Sequence, residues 1–232
     1  MTAVIHPEEV EPTTLPGAEI RATFDARNGC EKLRQLIVRF GSGRNQPPPL
    51  ERGEAVLYVA SGRGTMQLDG ESHALEPETA VALNAGDAPT FVNDGDDDLV
   101  LVCVVAPEST AFDGAPAQRV VRFGEQPEEE ASKERSFRYL VNEGEITQFM
   151  GIVQPSKAPF HSHPYDEVGY VVEGNGIAHI DGKETPLRSG SCFHLAPGKV
   201  HCIENVGPGA MRIMGVFHPA GSPANRTYQD NI

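Results

Sequence analysis

Residues 168–207 read "VGYVVEGNGIAHIDGKETPLRSGSCFHLAPGKVHCIENVG", and residues 56–95, lying 112 positions earlier with no gap between the two frames, read "VLYVASGRGTMQLDGESHALEPETAVALNAGDAPTFVNDG". Twelve of the 40 aligned positions are identical. They are mostly turn glycines, an Asp-Gly pair and apolar positions, among them Tyr170, Gly174, Asp181, Gly182 and Gly198. Such residues specify backbone shape, so the repeated object is a fold. The pieces "VGYVVEG", "GIAHIDG" and "SCFHLAPG" are short, rich in β-branched and apolar residues, and bounded by glycine. Asp-Gly between two such runs is a strong hairpin signal. Strand-like runs recur about every 8–12 residues, and no 3.6-residue period is sustained between them. The expectation is an all-β chain of two tandem sandwich- or barrel-type domains, each of roughly 80–100 residues.

The remaining sequence is divided accordingly. Residues 1–25 are proline-rich and acidic and read as an extended arm lying on the body or on a partner subunit; 26–110 read as the first barrel; 111–136, with the polar run "PEEEASKERS", as a linker or a turn of helix; 137–222 as the second barrel; and 223–232 as a tail. The 232 residues are 39% hydrophobic, enough for packed cores, and their 24 glycines and 19 prolines suit many turns. A net charge of -14 disfavours nucleic acid and anionic membranes, both of which call for a basic face. No apolar run is long enough for a membrane helix, and the N-terminus lacks the basic and apolar regions of a secretory signal. A cytoplasmic protein is expected, with a small-molecule substrate and, from the arm and the sheet edges, a homodimeric state. Cys30, Cys103, Cys192 and Cys202 form no CxxC pair and read as reduced, buried thiols.

Chemistry concentrates in the second repeat. In "FHSHPYDEVGYVVEG" (160–174), His161 and His163 share one face of an extended chain, and Glu167 has the same parity. His201 opens another strand in "PGKVHCIEN". If the two strands are neighbours, three imidazoles and one carboxylate converge. That donor set suits one divalent transition ion, Fe, Mn, Ni, Co or Zn, and leaves positions open for water or substrate.

"HSHPYDEVGYVVEG" resembles the first cupin motif, His-x-His, three residues, Glu, six residues, Gly. "GSCFHLAPGKVHCIEN" resembles the second, with Gly-x-x-His-x-x-x-Asn at its end. The resemblance implies a bicupin of two jelly-roll (double-stranded β-helix) barrels over roughly residues 30–222, with His161, His163, Glu167 and His201 as the metal ligands. Pro155 stands where the family has a glycine, and Ala196 where it has a proline, both backbone-shape positions. The same offset places Pro49, Glu51, Ala55 and Pro89 at the four ligand positions of the first repeat. That barrel should therefore be a scaffold without metal.

Around the centre, His179 and His194 are candidates to orient a ligand or pass a proton, with a hydrogen-bonded strand histidine as the alternative. Gly169, Val171 and Ile203 are expected to line the substrate pocket, Gly169 by leaving volume where the first repeat has Leu57. The functional expectation is a metal-dependent enzyme acting on a small chelating substrate, dioxygenase-type first. Isomerase, decarboxylase or lyase chemistry is the alternative, as is a non-catalytic binding module.

Overall fold

The computed structural model describes residues 3–45, 53–109, 116 and 118–229. Among them there is no α-helix, only strands and three short 3-10 turns. Each repeat folds as a large seven-stranded sheet facing a smaller one, four-stranded in the first repeat and six-stranded in the second. The Asp-Gly pairs turn as the sequence implied: Asp69 and Gly70 have φ of 53° and 82°, Asp181 and Gly182 of 52° and 71°. Both residues of each pair are thus left-handed, the geometry that matches the twist of a two-residue hairpin.

The two large sheets pack against each other, so their central strands are buried on both faces. In Glu54–Ser61, Val56 and Tyr58 belong to a core shared by both repeats, while Ala55, Leu57 and Val59 fill the first barrel. In Asp166–Glu173, Val168 joins the shared core and Val171 the interior of the second barrel. Burial on both sides is why these strands read as continuous apolar runs rather than alternating ones. Two buried amides cross the seam in a pseudo-twofold arrangement: Gln35 Nε2 donates to Gly169 O at 3.2 Å, and Gln148 Nε2 to Leu57 O at 3.5 Å.

Three segments are more regular than the sequence implied, and the arm does lie on the body. The arm is built into the sheets. Val4–Ile5 pairs with Cys192–Leu195 of the second barrel, and Ala18–Phe24 is an integral strand of the first. The polar segment expected as linker or helix is also β: Val120–Arg122 pairs with Thr79–Leu83, and Glu129–Ser132 forms a hairpin with Arg135–Val141. The segment before each repeat thereby covers a sheet edge of the other repeat. A covered edge is satisfied by backbone hydrogen bonds alone, so these strands need no apolar signature. Finally, the expected tail contains Thr227–Tyr228, which pairs with His161–Ser162. The four cysteines are free and buried, as expected.

Candidate metal centre

His161 and His201 are register partners on neighbouring antiparallel strands, so their rings emerge side by side, with centroids 4.4 Å apart. His163 lies 5.1 Å from the first ring and 5.6 Å from the second. The turn carrying the second motif is tied to the first, because Gly198 N donates to His163 O at 2.7 Å. One nitrogen from each ring falls within a common 4.8 Å cluster. Glu167 comes from the facing sheet and lines the same cavity without being part of that cluster.

The tautomers are fixed by the backbone. His161 Nδ1 donates to Pro159 O at 2.9 Å, His163 Nδ1 to Asn225 O at 2.8 Å, and His201 Nδ1 to Lys199 O at 2.9 Å. A carbonyl only accepts, so each Nδ1 carries the proton and each Nε2 keeps its lone pair. Burial holds the rings neutral: it pushes His161 down to about 4 and His201, with help from the neighbouring His161, down to about 3, and lowers His163 as well. Burial, reinforced by Asp166, drives the Glu167 carboxyl the other way, up to about 8. Its Oε2 is buried without a hydrogen-bond partner. Three preoriented lone pairs beside an orphaned carboxyl oxygen are costly without a cation and well matched to one. The triad is consistent with a divalent metal.

The cavity, about 100 Å3, is walled by Phe137, Phe149, Phe193, Ile203 and Phe217, with Arg135 and Arg226 at its polar side. Arg135 donates to Ser156 Oγ at 3.1 Å and Ile203 O at 3.0 Å. Arg226 lies over the Tyr228 ring, 5.9 Å from its centroid. Among the described residues neither guanidinium forms an ion pair with a carboxylate, and burial, with a smaller contribution from the neighbouring Arg226, lowers the pKa of Arg135. Two such cations converge on one cavity in a chain of net charge -14.

The structure brings the three imidazoles together, while His179 and His194 are hydrogen-bonded strand histidines, the other reading the sequence offered for them. His179 lies between Ala178 and Ile180, which point into the barrel; its own ring points outward to Glu204 (2.8 Å) and Glu184 (3.3 Å). His194, between Phe193 and Leu195, points to the seam between the repeats and bonds Asp166 at 2.6 Å. Strand alternation therefore sets both on the far side of their sheets from the cavity, and neither orients a ligand. Gly169 faces inward, but a Cβ there would sit 2.1 Å from the Phe193 ring; the glycine makes room for that ring rather than for substrate. Val171 is packed in the barrel core and does not line the cavity; Ile203 does. Tyr165 is buried, and its hydroxyl accepts from Asn225 Nδ2 at 2.7 Å. The C-terminal segment supplying Asn225 and Arg226 was missed, because a backbone carbonyl and a lone arginine have no sequence signature.

In the first repeat, Ala55 stands at the Glu167 position, and the interior is filled by Leu57, Met66 and the stacked pair Phe40 and Phe91, 5.2 Å apart. Pro49 and Glu51 lie outside the described residues.

A cupin domain model matches the chain twice, over residues 36–105 and 149–217. An oxalate-binding protein of Thermotoga maritima is 27% identical over 77 residues, covering 33% of this chain and 64% of that protein. The chain spans between half and two thirds of the length of the curated relatives it matches. Among solved structures, a putative glyoxylate-induced protein from Pseudomonas aeruginosa superposes with a TM-score of 0.79 at 18% identity, over 96% of this chain and 91% of that one. The Mn(II)-containing oxalate decarboxylase of Bacillus subtilis superposes with a TM-score of 0.77 at 12% identity, over 98% and 79%. At these identities the structures share the fold.

Proposed function

The chain belongs to the cupin domain family, twice over, and from that premise we propose that its second barrel is the active site of a metal-dependent enzyme acting on a small organic acid. The observation that carries this reading is the pairing of the three-imidazole cluster with Arg135 and Arg226 across one cavity. His161, His163 and His201 would hold the ion, with Glu167, which lines the same cavity, as the fourth ligand once a cation favours its ionised form. Arg226, half-buried beside the imidazoles, pairs with the substrate carboxylate, and Arg135 adds a second positive charge. The phenylalanine wall excludes water and strengthens both interactions. An ion held by these residues would supply Lewis-acid or redox chemistry to the bound acid.

The reaction we assign first is dioxygenase-type. Decarboxylation or another lyase reaction is the second reading, favoured by the carboxylate-shaped electrostatics of the cavity. It also fits the names of two similar proteins, an oxalate-binding protein and an oxalate decarboxylase. The test is to load the protein anaerobically with Fe(II) or Mn(II) and present oxalate, keto acids, neutral diketones and catechols. Binding, oxygen uptake and carbon dioxide release are then followed. Carboxylates should bind and turn over; oxygen uptake marks the first reading and carbon dioxide release without it the second. Binding of diketones or catechols with no binding of any carboxylate overturns the proposal, and tight binding of a carboxylate without turnover makes the protein a binding module.

A further inference from the structure

The seam between the two repeats carries a second set of donors that the cavity does not use. Asp166 precedes Glu167 and therefore points to the other side of the strand, towards the first repeat. Its Oδ1 lies 2.6 Å from His194 Nε2. Cys30, on the loop 25–33 of the first repeat, completes a cluster whose potential ligand atoms all lie within 4.8 Å of one another. Cys30 and Asp166 are 1% and 5% exposed. His218, the register partner of Asp166 on the adjoining strand, brings a buried ring Nδ1 with no hydrogen-bond partner to the same end of the sheet.

The other repeat supplies a control. Glu54, 112 residues before Asp166, also reaches across the seam, and its Oε2 accepts from Glu145 N at 2.8 Å. The position matching His194 is Ala82, and the loop that Glu54 meets, residues 142–146, is shorter than 25–33 and holds no cysteine. At this point the first repeat's frame carries only a buried carboxyl group, one oxygen bonded to backbone and the other, Oε1, without a partner. The thiol and the imidazole are additions specific to one side.

We propose that Cys30, Asp166 and His194 form a second metal site, for Zn(II) or a similar borderline ion, which ties the first repeat to the second. Thiolate, imidazole and carboxylate are a donor set that zinc takes, and the fourth tetrahedral position is open to water or to His218. Without metal the Asp166–His194 hydrogen bond satisfies that pair, and burial together with the Asp166 charge keeps the Cys30 thiol protonated. Loading forms metal–sulfur, metal–nitrogen and metal–oxygen bonds at the expense of the S–H bond, the hydrogen bond and water ligands. The His194 ring changes tautomer, its Nε2 proton passing through solvent to Nδ1 so that Nε2 offers its lone pair; the thiol proton leaves to solvent, and no electrons are transferred. A cleft lined by Asp25, Cys30, Glu31 and Arg34 gives the ion an entry route to the sulfur.

Cobalt(II) is the probe, because a thiolate ligand gives it an intense charge-transfer absorption. The unmutated protein should take up two cobalt ions per chain and show that band. His161→Ala/His201→Ala should keep one ion and the band. Cys30→Ser should keep one ion and lose the band, and the triple variant should lose both. No thiolate band in the unmutated, folded protein at saturating cobalt overturns the proposal without relying on any substitution; so does a band that survives Cys30→Ser, with the sulfur then coming from another cysteine. Loss of the first site's ion in His161→Ala/His201→Ala is read separately, so failure of either site leaves the other's result standing.

Discussion

Replacing Glu167 by glutamine removes the ionisable group and keeps the shape of the side chain. The consequence for metal binding follows from the opposite electrostatics of the four donors. His161 sits at about 4 and His201 at about 3, so protons do not compete for these two rings above roughly pH 5.5, and burial lowers His163 as well. Glu167 sits at about 8 in the metal-free protein because it is wholly buried beside Asp166. At pH 6 only about one molecule in a hundred has this carboxyl ionised, and ionising the rest costs about 2.7 kcal/mol, at about 1.36 kcal/mol per pH unit. The affinity of the native protein for Mn(II) or Zn(II) should therefore rise about tenfold per pH unit between about pH 5.5 and 7.5, then level off above pH 8. The Glu167→Gln variant should bind more weakly at pH 8, and its affinity should be nearly flat over that window. Competition against one fluorescent chelator, with both proteins in the same buffers, reads the ratio of the two affinities and cancels the chelator's own protonation. The ratio should shrink about tenfold per unit as pH falls from 7.5. A ratio independent of pH would refute the reasoning: Glu167 would then bind metal without losing a proton, or not bind it at all. The linkage sign agrees for stability. Between about 4.5 and 8 the metal-free fold holds a Glu167 proton that the unfolded chain lacks, so this group's contribution falls as pH rises, and the stabilisation by added metal should grow across the same interval.

Other perturbations separate the parts of the site. Arg226→Gln should leave metal content unchanged and weaken carboxylate binding by about tenfold or more, the scale of one charge-assisted hydrogen bond; calorimetry on the metal-loaded variant measures it. Ending the chain after Gly221 removes the carbonyl of Asn225 that holds His163 Nδ1, and metal affinity should fall about 10–100-fold with the β circular dichroism retained. Gly169→Ala forces a Cβ to 2.1 Å from the Phe193 ring and should destabilise the fold by about 1–3 kcal/mol in denaturant titrations. Adding Phe193→Val, the residue type found at the matching Val81, should recover part of that loss.

The duplication, the hairpin turns and the three histidines were legible because each depends on local chemistry. Asp-Gly sets a turn by its own dihedral angles, and a His-x-His pair shares a face in any strand. The outward placement of His179 and His194 was also within reach. Each sits between two apolar residues that turned out to be core, so alternation alone assigns it to the opposite face. Gly169 was not legible. Whether an inward glycine leaves a cavity or admits a neighbour depends on Phe193, a partner fixed only by the pairing of Asp166–Glu173 with Cys192–Leu195. The closing segment was the least accessible. Tyr228 pairs with His161 through backbone hydrogen bonds across most of the second repeat, and the group that orients His163 is a peptide carbonyl that any residue possesses.

The comparison of the repeats explains how the described residues of one frame set a histidine triad beside a cavity and those of the other do not. Leu57 and Cys103 of the first repeat fill its barrel from within. Their counterparts are Gly169 and Gly215, and above these the rings of Phe193 and Phe149 lie so close that a Cβ would meet them at 2.1 and 2.3 Å. Side-chain volume has thus moved from the strands' own positions to flat rings lying across them. The rings wall the space beside Glu167, where the first repeat has only the methyl group of Ala55. The histidines alone would not reproduce the centre if grafted onto the first repeat: its interior is closed by Leu57 and the Phe40–Phe91 stack. The triad and the cavity are separate features of the fold, and the second repeat has both.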